Sequence, residues 1–408
     1  MSVQLPHRKS VSVLLMSVMA FHRDRADVWT RLSAFASRNW RAVLAFTAAS
    51  AFGCDATSAT DSKARIPEVW VAHIGQRGQF GWGGVPAIAG GHVLVQNESN
   101  LVSIAKESGR VMWSTSIKND PTPGAANIVV AGGLALIGEH YISALDLSTG
   151  VVRWRFTPDS LPQSVEASAD DRSYYTGQRG IPVVYALELG TGALRWRTNV
   201  GATWRYPAYI LGVSVSGDTV YVGIEKWGNP SGVPKTAVVV ALNRFDGSEF
   251  WRYETPDTGH GVQSAAHVYG NLLLIDDFPG GGVLAIDRFT AREVWRWAGP
   301  PTAAGPTSPS FISGGVLYVG LGGGYVYALD ASSGAILWSH QTKQWVTGIA
   351  ACGENVFSNV TNIERYDAPS GIVTGHSPKG APLSSALVTD GARIYVAGED
   401  GVHAFSCQ

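Results

Sequence analysis

One phrase recurs along this chain and restricts its fold more than any other feature. It reads Ala144-Leu-Asp146-Leu-Ser-Thr149-Gly150-Val-Val-Arg-Trp154. It returns as Ala186-Leu-Glu188-Leu-Gly-Thr191-Gly192-Ala-Leu-Arg-Trp196 and as Ala328-Leu-Asp330-Ala-Ser-Ser333-Gly334-Ala-Ile-Leu-Trp338. Looser copies end at Trp113, Trp251 and Trp295, and Trp70 in Pro67-Glu-Val-Trp70 fits the tail of another. Successive tryptophans stand 43, 41, 42, 55, 44 and 43 residues apart. A repeat of that length cannot bury its own apolar face and must stack on its neighbours, and a period of ~40–50 residues is that of propeller blades.

Each unit reads as four strands. In the copy ending at Trp338, the runs 310–313, 316–319, 325–329 and 335–338 are β-branched and aromatic. Gly314-Gly315, Gly320 to Gly324 and Asp330 to Gly334 punctuate them as hairpin turns. Aspartate accepts hydrogen bonds from a turn backbone and glycine tolerates positive φ, so these two types frame the recurring turn. Two further units are incomplete. Arg365-Tyr-Asp367-Ala-Pro-Ser370-Gly371 keeps the turn but has Gly375 where tryptophan is expected. Gly398-Glu-Asp-Gly401-Val-His-Ala404-Phe405 is followed by no fourth strand, whereas Trp70 belongs to a fourth strand with no three before it. Seven units and one shared blade make eight. The sequence therefore predicts an all-β fold, an eight-bladed β-propeller of four-stranded antiparallel blades. The ring is closed by the N-terminal strand joining the C-terminal strands, which removes the open edges.

These residues resemble the PQQ-like repeat family across 67–408. In that family the tryptophan of the phrase packs across the blade interface as a docking motif. The resemblance implies a structural role for Trp70, Trp113, Trp154, Trp196, Trp251, Trp295 and Trp338.

The first residues have another character. Arg38 and Arg41 precede the 12-residue apolar run 42–53, and Cys54 follows it. A positive flank, a short apolar core and small residues make a signal peptide, and the run is short of the ~20 residues that span a bilayer. Ala51-Phe52-Gly53-Cys54 resembles a bacterial lipobox, which implies lipidation of Cys54; an ordinary cleaved signal is the alternative. A second apolar run, Val11 to Phe21, lies upstream, and its simplest account is a true start downstream of Met1. The expected division is a leader over 1–53, a lipidated cysteine and tether over 54–66, and the propeller over 67–408. The chain is thus expected to be exported, periplasmic and lipid-anchored. Asp55 beside the cysteine resembles an inner-membrane retention signal, so outer and inner membrane both stay open.

An exported compartment permits disulfides. Aligning Ile349-Ala-Ala-Cys352-Gly353 with Ser310-Phe-Ile-Ser313-Gly314 puts Cys352 at the end of an innermost strand, and Cys407 follows Ala404-Phe405 on the neighbouring blade. A Cys352–Cys407 bridge is expected, with two buried thiols as the alternative.

Little in the chain points to catalysis. A net charge of −1 gives no reason to expect nucleic acid as a partner. Quinoprotein dehydrogenases of this repeat family have a vicinal cysteine pair and acidic and amide ligands on calcium, and this chain has no adjacent cysteines. Asp146, Glu188, Asp287, Asp330 and Asp367 fall at turn positions. Gly280 to Gly282 and Gly322 to Gly324 lie between strands, with no helix to receive a phosphate. No histidine spacing suits a metal. No catalytic residue, metal or cofactor is expected. Connections between blades, and between second and third strands, share one face. Phe80, Trp82, Trp204, Arg205, Tyr206, Trp227, His260 and Trp345 collect there, a composition suited to protein binding, the alternative being that some rings plug the centre. A lipid-anchored propeller of this kind is similar to BamB-type outer-membrane assembly lipoproteins. That resemblance implies a non-catalytic scaffold for protein partners of the assembly machinery, held to the membrane by its lipid. The alternative is a quinoprotein-like or other small-ligand-binding propeller.

Overall fold

In the computed structural model the third and fourth strands of every repeat pair out of step by one residue just before the tryptophan position. Leu187 faces Leu194 and Ala186 faces Trp196, which leaves Arg195 as the extra residue of a β-bulge. The same slip occurs in the other seven blades. The bulge turns the extra residue outward and the next one inward. Met112, Phe250 and Leu337 are apolar yet exposed because they occupy the bulge, while Trp113, Trp196 and Trp338 beside the same slip are buried.

The structure describes residues 64–408 apart from 75–84, 98–99, 118–126, 139–140, 160–164, 205–207, 228–235, 257–258, 260, 263, 278–281, 301–308 and 379–384. Eight antiparallel sheets follow in chain order. Blade 1 comprises Ala87–Ala89, His92–Asn97, Asn100–Ala105 and Val111–Ser116, and blade 2 Ile128–Ala131, Leu134–Gly138, Ile142–Asp146 and Val152–Phe156. Blade 3 comprises Ser168–Ala169, Ser173–Gly177, Val183–Glu188 and Leu194–Asn199, and blade 4 Ala208–Ser216, Thr219–Lys226, Thr236–Asn243 and Glu249–Glu254. Blade 5 comprises His267–Tyr269, Leu272–Asp277, Gly282–Asp287 and Glu293–Trp297, and blade 6 Phe311–Ser313, Val316–Leu321, Tyr325–Asp330 and Ile336–Gln341. Blade 7 comprises Gly348–Cys352, Asn355–Asn359, Ile363–Asp367 and Val373–His376. Blade 8 takes Val388–Thr389, Arg393–Gly398 and Gly401–Ser406 from the end of the propeller and Glu68–Ala72 from its start, with Trp70 opposite Ala404.

Two sheets gain a short fifth strand that the repeat does not announce. Arg179–Gly180 joins the inner edge of blade 4, and Ala64–Arg65 runs parallel to the outer strand of blade 7. Blade 4 also has first, second and third strands of 8–9 residues. The 55-residue spacing therefore reflects longer strands as well as the insertion over 227–235. The middle strands of each blade lie between two neighbours and are buried on both faces, which is why they read as unbroken apolar runs such as Val238-Val-Val-Ala-Leu242.

Each tryptophan lies on the turn of the following blade. The ring of Trp154 covers Gly192, where an added Cβ would stand 2.4 Å from its Cε3 atom. Gly192 also has φ +73°, which an L side chain adopts at a cost of ~1–2 kcal/mol. The Trp154 Nε1–H donates to the Leu189 carbonyl at 2.9 Å, three residues before the glycine. Trp70, Trp113, Trp196, Trp251 and Trp338 donate in the same way to Lys106, Leu147, Arg244, Arg288 and Ala368 at 2.7–3.0 Å. Trp295 covers Gly334 likewise, but its Nε1 is buried without a hydrogen-bond partner among the described residues. The turn under Trp251 has Ala291, at φ +56°, in the glycine's place. Asp146 fixes its turn by accepting from the Ser148 and Thr149 backbone N–H groups at 3.1 and 3.0 Å. Hydrogen bonds from the Ser148 hydroxyl, Arg153 and Thr149 hold its carboxyl well below the usual carboxylate range.

The ring is interrupted at one junction. Blade 8 draws its outer strand from the start of the propeller, so no turn links its third and fourth strands and blade 7 has no glycine to cover. At Gly375 of blade 7, the Ala64 carbonyl would stand 2.7 Å from a Cβ and the Arg365 guanidinium 3.2 Å. Ile66, fully buried, packs between blades 7 and 8 with Phe357, Leu387 and Phe405. Cys352 and Cys407 are disulfide-bonded across the same junction, their Cα atoms 5.9 Å apart.

Gly192→Ala is expected to destabilise the protein by about 2–4 kcal/mol, combining the strained φ with overpacking against Trp154. Ala291→Gly is expected to stabilise it by about 0.5–1 kcal/mol, because the turn under Trp251 already needs positive φ. Urea unfolding of the two variants should move the midpoint in opposite directions.

Candidate functional site

The antiparallel order of four strands sends two kinds of connection to one face, those between blades and those between second and third strands. The opposite face has only the short turns. Of the residues expected on the first face, Phe80, Trp82, Arg205, Tyr206 and His260 lie outside the described residues, as do Cys54 and the leader. Trp204, Trp227 and Trp345 are described, and the structure separates them into two environments.

Trp204 lies at the junction of blades 3 and 4, partly buried against their common core. Lys226 Nζ and the Arg252 guanidinium carbon stand 5.3 and 5.6 Å from its ring, within range of a cation–π attraction. Glu254 pairs with Lys226 at 2.9 Å and Glu249 with Arg252, so both cations are held in place. Trp227 follows Lys226 directly and meets Tyr209 edge-on, with ring centroids 5.8 Å apart. Trp345 belongs to the connection between blades 6 and 7 and is 61% exposed. The first two rings thus have structural neighbours, while the third is offered to the surroundings.

The structure also assembles a polar cluster at the inner strands that the repeat pattern hides. Glu166, just before the inner strand of blade 3, bridges in parallel to Gly212 in the inner strand of blade 4. Val213 N–H donates to the Glu166 carbonyl at 2.7 Å, and Glu166 N–H to the Leu211 carbonyl at 3.1 Å. The Glu166 carboxylate accepts from Ala265 N–H, at the entrance of blade 5, at 2.6 Å. Glycine is required at 212, because a Cβ there would stand 2.1 Å from the Ala265 nitrogen. Asp276 of blade 5 accepts from the Ser264 hydroxyl at 3.0 Å and from Ser310 N–H, at the entrance of blade 6, at 2.9 Å. Its other carboxylate oxygen is buried without a hydrogen-bond partner among the described residues. One line of polar contacts therefore links blades 3 to 6.

Glu166 keeps some access to solvent, yet protein atoms surround it on nearly every side. That burial pushes its carboxyl up to about 7; the Ala265 N–H opposes the rise and the Asp276 charge adds to it. Such a group can carry a proton near neutral pH. Sequence reasoning assigned acidic residues to turns and missed this pair; the signal was two consecutive aspartates, Asp276 and Asp277, ending the apolar run Leu272-Leu-Leu-Ile275. Among the described residues no three His, Cys, Asp or Glu side chains are grouped to hold a metal ion. No described helix is long and apolar enough to cross a membrane.

Comparison with known proteins gives one family and one fold. The family described as outer membrane protein assembly factor BamB matches residues 18–205, 138–298 and 182–345, overlapping windows that slide along the repeat. No curated protein sequence matches. Among solved structures, BamB from Moraxella catarrhalis is similar with a TM-score of 0.64 at 15% identity, covering 84% of this chain and 97% of that one. The quinohemoprotein alcohol dehydrogenase from Comamonas testosteroni has a TM-score of 0.66 at 15% identity, covering 84% of this chain and 76% of the enzyme. A europium-containing methanol dehydrogenase has 0.67 at 14% identity, covering 82% and 84%. At such identities the structural likeness shows the fold alone.

The raised Glu166 carboxyl makes stability depend on pH. Between its ordinary value near 4.5 and about 7 the folded chain holds a proton that the unfolded chain has released. This contribution to stability is present below pH 4.5 and is lost as pH rises towards 7. Glu166→Gln keeps an acceptor for Ala265 and removes the charge. It should leave stability at pH 4.5 nearly unchanged and raise it at pH 8 by on the order of 1–3 kcal/mol, measured by urea unfolding at both values.

Proposed function

This chain belongs to the family of outer membrane protein assembly factor BamB, and we propose that it is a non-catalytic scaffold that holds protein partners beside a bacterial membrane during outer-membrane protein assembly. The family match over 18–345 is the observation that carries this reading. The leader and Cys54 agree with it: export to the periplasm followed by lipidation would place the propeller at a membrane surface. Protein partners would meet the face that presents the blade connections, where Trp204 lies under Lys226 and Arg252 and both cations are held by Glu254 and Glu249. Rigid aromatic and arginine anchors lose little entropy on binding and are the types that dominate interface energetics.

The similar quinoprotein folds supply the second reading, a quinone-dependent oxidoreductase. The residues of this chain do not fit that cofactor. Its three cysteines include no adjacent pair, and two of them join different blades. The acid pair Glu166 and Asp276 is engaged with the entrances of blades 5 and 6, where its contacts are structural.

Affinity purification of the tagged, full-length protein after cross-linking in its native membrane should enrich components of outer-membrane protein assembly. The Cys54→Ser variant should move from the membrane to the soluble fraction, and the mature protein should begin with an acylated cysteine by mass spectrometry. Saturable binding of pyrroloquinoline quinone with calcium, accompanied by dye-linked alcohol oxidation and no enrichment of assembly components, would replace the scaffold reading with the enzymatic one.

A further inference from the structure

A polar groove of roughly 790 Å³ opens between blades 6 and 7, lined by two pieces of chain from the blade connections and by the segment that enters the propeller. Blade 6 contributes His340 and Lys343, blade 7 contributes Asn362 and His376, and the entering segment contributes Arg65. Arg65 lies there because Ala64–Arg65 pairs with the outer strand of blade 7, opposite Gly375 and His376. Neither Arg65 nor Lys343 has an ion-pair partner among the described residues, and both are exposed. The one carboxylate in the groove, Glu364, is already engaged: it accepts from the Tyr366 hydroxyl at 2.6 Å and lies 3.9 Å from the His376 ring nitrogen. The groove therefore has a positive balance in a chain whose net charge is −1. Trp345, two residues beyond Lys343, is 61% exposed beside it.

We propose that this corner of blades 6 and 7 rests on the anionic phospholipid headgroups of the membrane that holds the protein. The inference builds on the reading of Cys54 as the lipidated residue. Only nine residues separate Cys54 from Ala64, a length of chain that reaches no more than about 35 Å from Ala64 when fully extended. The corner that the chain enters is thus kept close to the bilayer. Two cations with no ion-pair partner among the described residues and an exposed indole are the residue types that settle at a headgroup surface: the cations meet lipid phosphates, and the ring lies at the level between water and hydrocarbon. Each cation strengthens the attraction to an anionic surface by only about fivefold, too little for tight binding by a free protein. For a tethered one the effective concentration is already high, and a weak contact suffices to fix orientation. With this corner lowered to the membrane, the remaining blade connections stay open to protein partners.

The test uses the mature chain, residues 54–408 carrying Cys54→Ser, so that neither the apolar leader nor an acyl chain contributes. It is sedimented with millimolar vesicles of equimolar phosphatidylglycerol and phosphatidylcholine, or of phosphatidylcholine alone. Sedimentation is expected with the anionic vesicles only, falling at least about fivefold in Lys343→Glu and in Trp345→Ser. Arg110→Glu, on an exposed turn of blade 1, should sediment like the parent. Circular dichroism of all three variants should match the parent, since each altered side chain is exposed. Equal sedimentation with both vesicle types, or full retention of binding by Lys343→Glu and Trp345→Ser, overturns the proposal. A failure of the lipid-anchor reading is seen separately: the native protein would wash from membranes and carry no acyl mass.

Discussion

The contact between a tryptophan ring and the turn of the next blade is the interaction on which the rest of this propeller depends. A single blade is a small twisted sheet with two apolar faces, and it is stable only between two neighbours. The outer strand is the widest and most exposed part of each blade, where flat sheets would splay apart. One large ring per blade bridges that gap, and a glycine at positive φ lets the ring lie directly on the neighbouring backbone, as Trp154 does on Gly192. The hydrogen bond from the indole to a carbonyl of the same turn sets the ring's direction. The bulge before every tryptophan belongs to the same device, since it turns that one position of the outer strand inward while its predecessor faces water.

The device needs a turn to rest on, and blade 8 has none. Its third strand pairs with Glu68–Ala72 from the other end of the ring, so the turn is replaced by two separate pieces of chain. Blade 7 accordingly has glycine in the tryptophan's place, and the space is taken by the entering strand Ala64–Arg65 and by Ile66. The Cys352–Cys407 bond spans this junction from the inner strand of blade 7 to the end of the third strand of blade 8. It closes a loop of 55 residues, which the chain-entropy model values at about 4 kcal/mol. Ring closure in this protein is therefore a covalent and apolar arrangement where the other seven junctions are aromatic.

Much of this was legible because the repeat is a one-dimensional signal of a three-dimensional contact. The tryptophan spacing and the orphan fourth strand at Trp70 were enough to count blades and to close the ring. The spacing could not reveal that blade 4 has strands of 8–9 residues, because insertion and elongation lengthen a repeat alike. Nor could it reveal the bulges, since one extra residue per outer strand occurs in every copy and leaves the period unchanged. The site was less legible than the fold. Trp204, Trp227 and Trp345 look equivalent in sequence, yet only the blade geometry distinguishes a ring stacked under two cations from one that is free to meet a partner. The Glu166–Asp276 cluster was hidden for a related reason, because its members are 110 residues apart and are linked only through the inner strand of blade 4 and the entrance of blade 5.

The most direct test of this account is hydrogen exchange on the oxidised and the reduced protein. If tryptophan contacts hold seven junctions and the disulfide holds the eighth, reduction should speed exchange in Glu68–Ala72, Arg393–Gly398 and Gly401–Ser406 of blade 8 and in the adjoining strands of blade 7. Blades 2 to 4, each bounded by tryptophan contacts, should keep their protection. Exchange that rises equally in all eight blades, or that does not change on reduction, would contradict the claim that the ring has one chemically distinct junction.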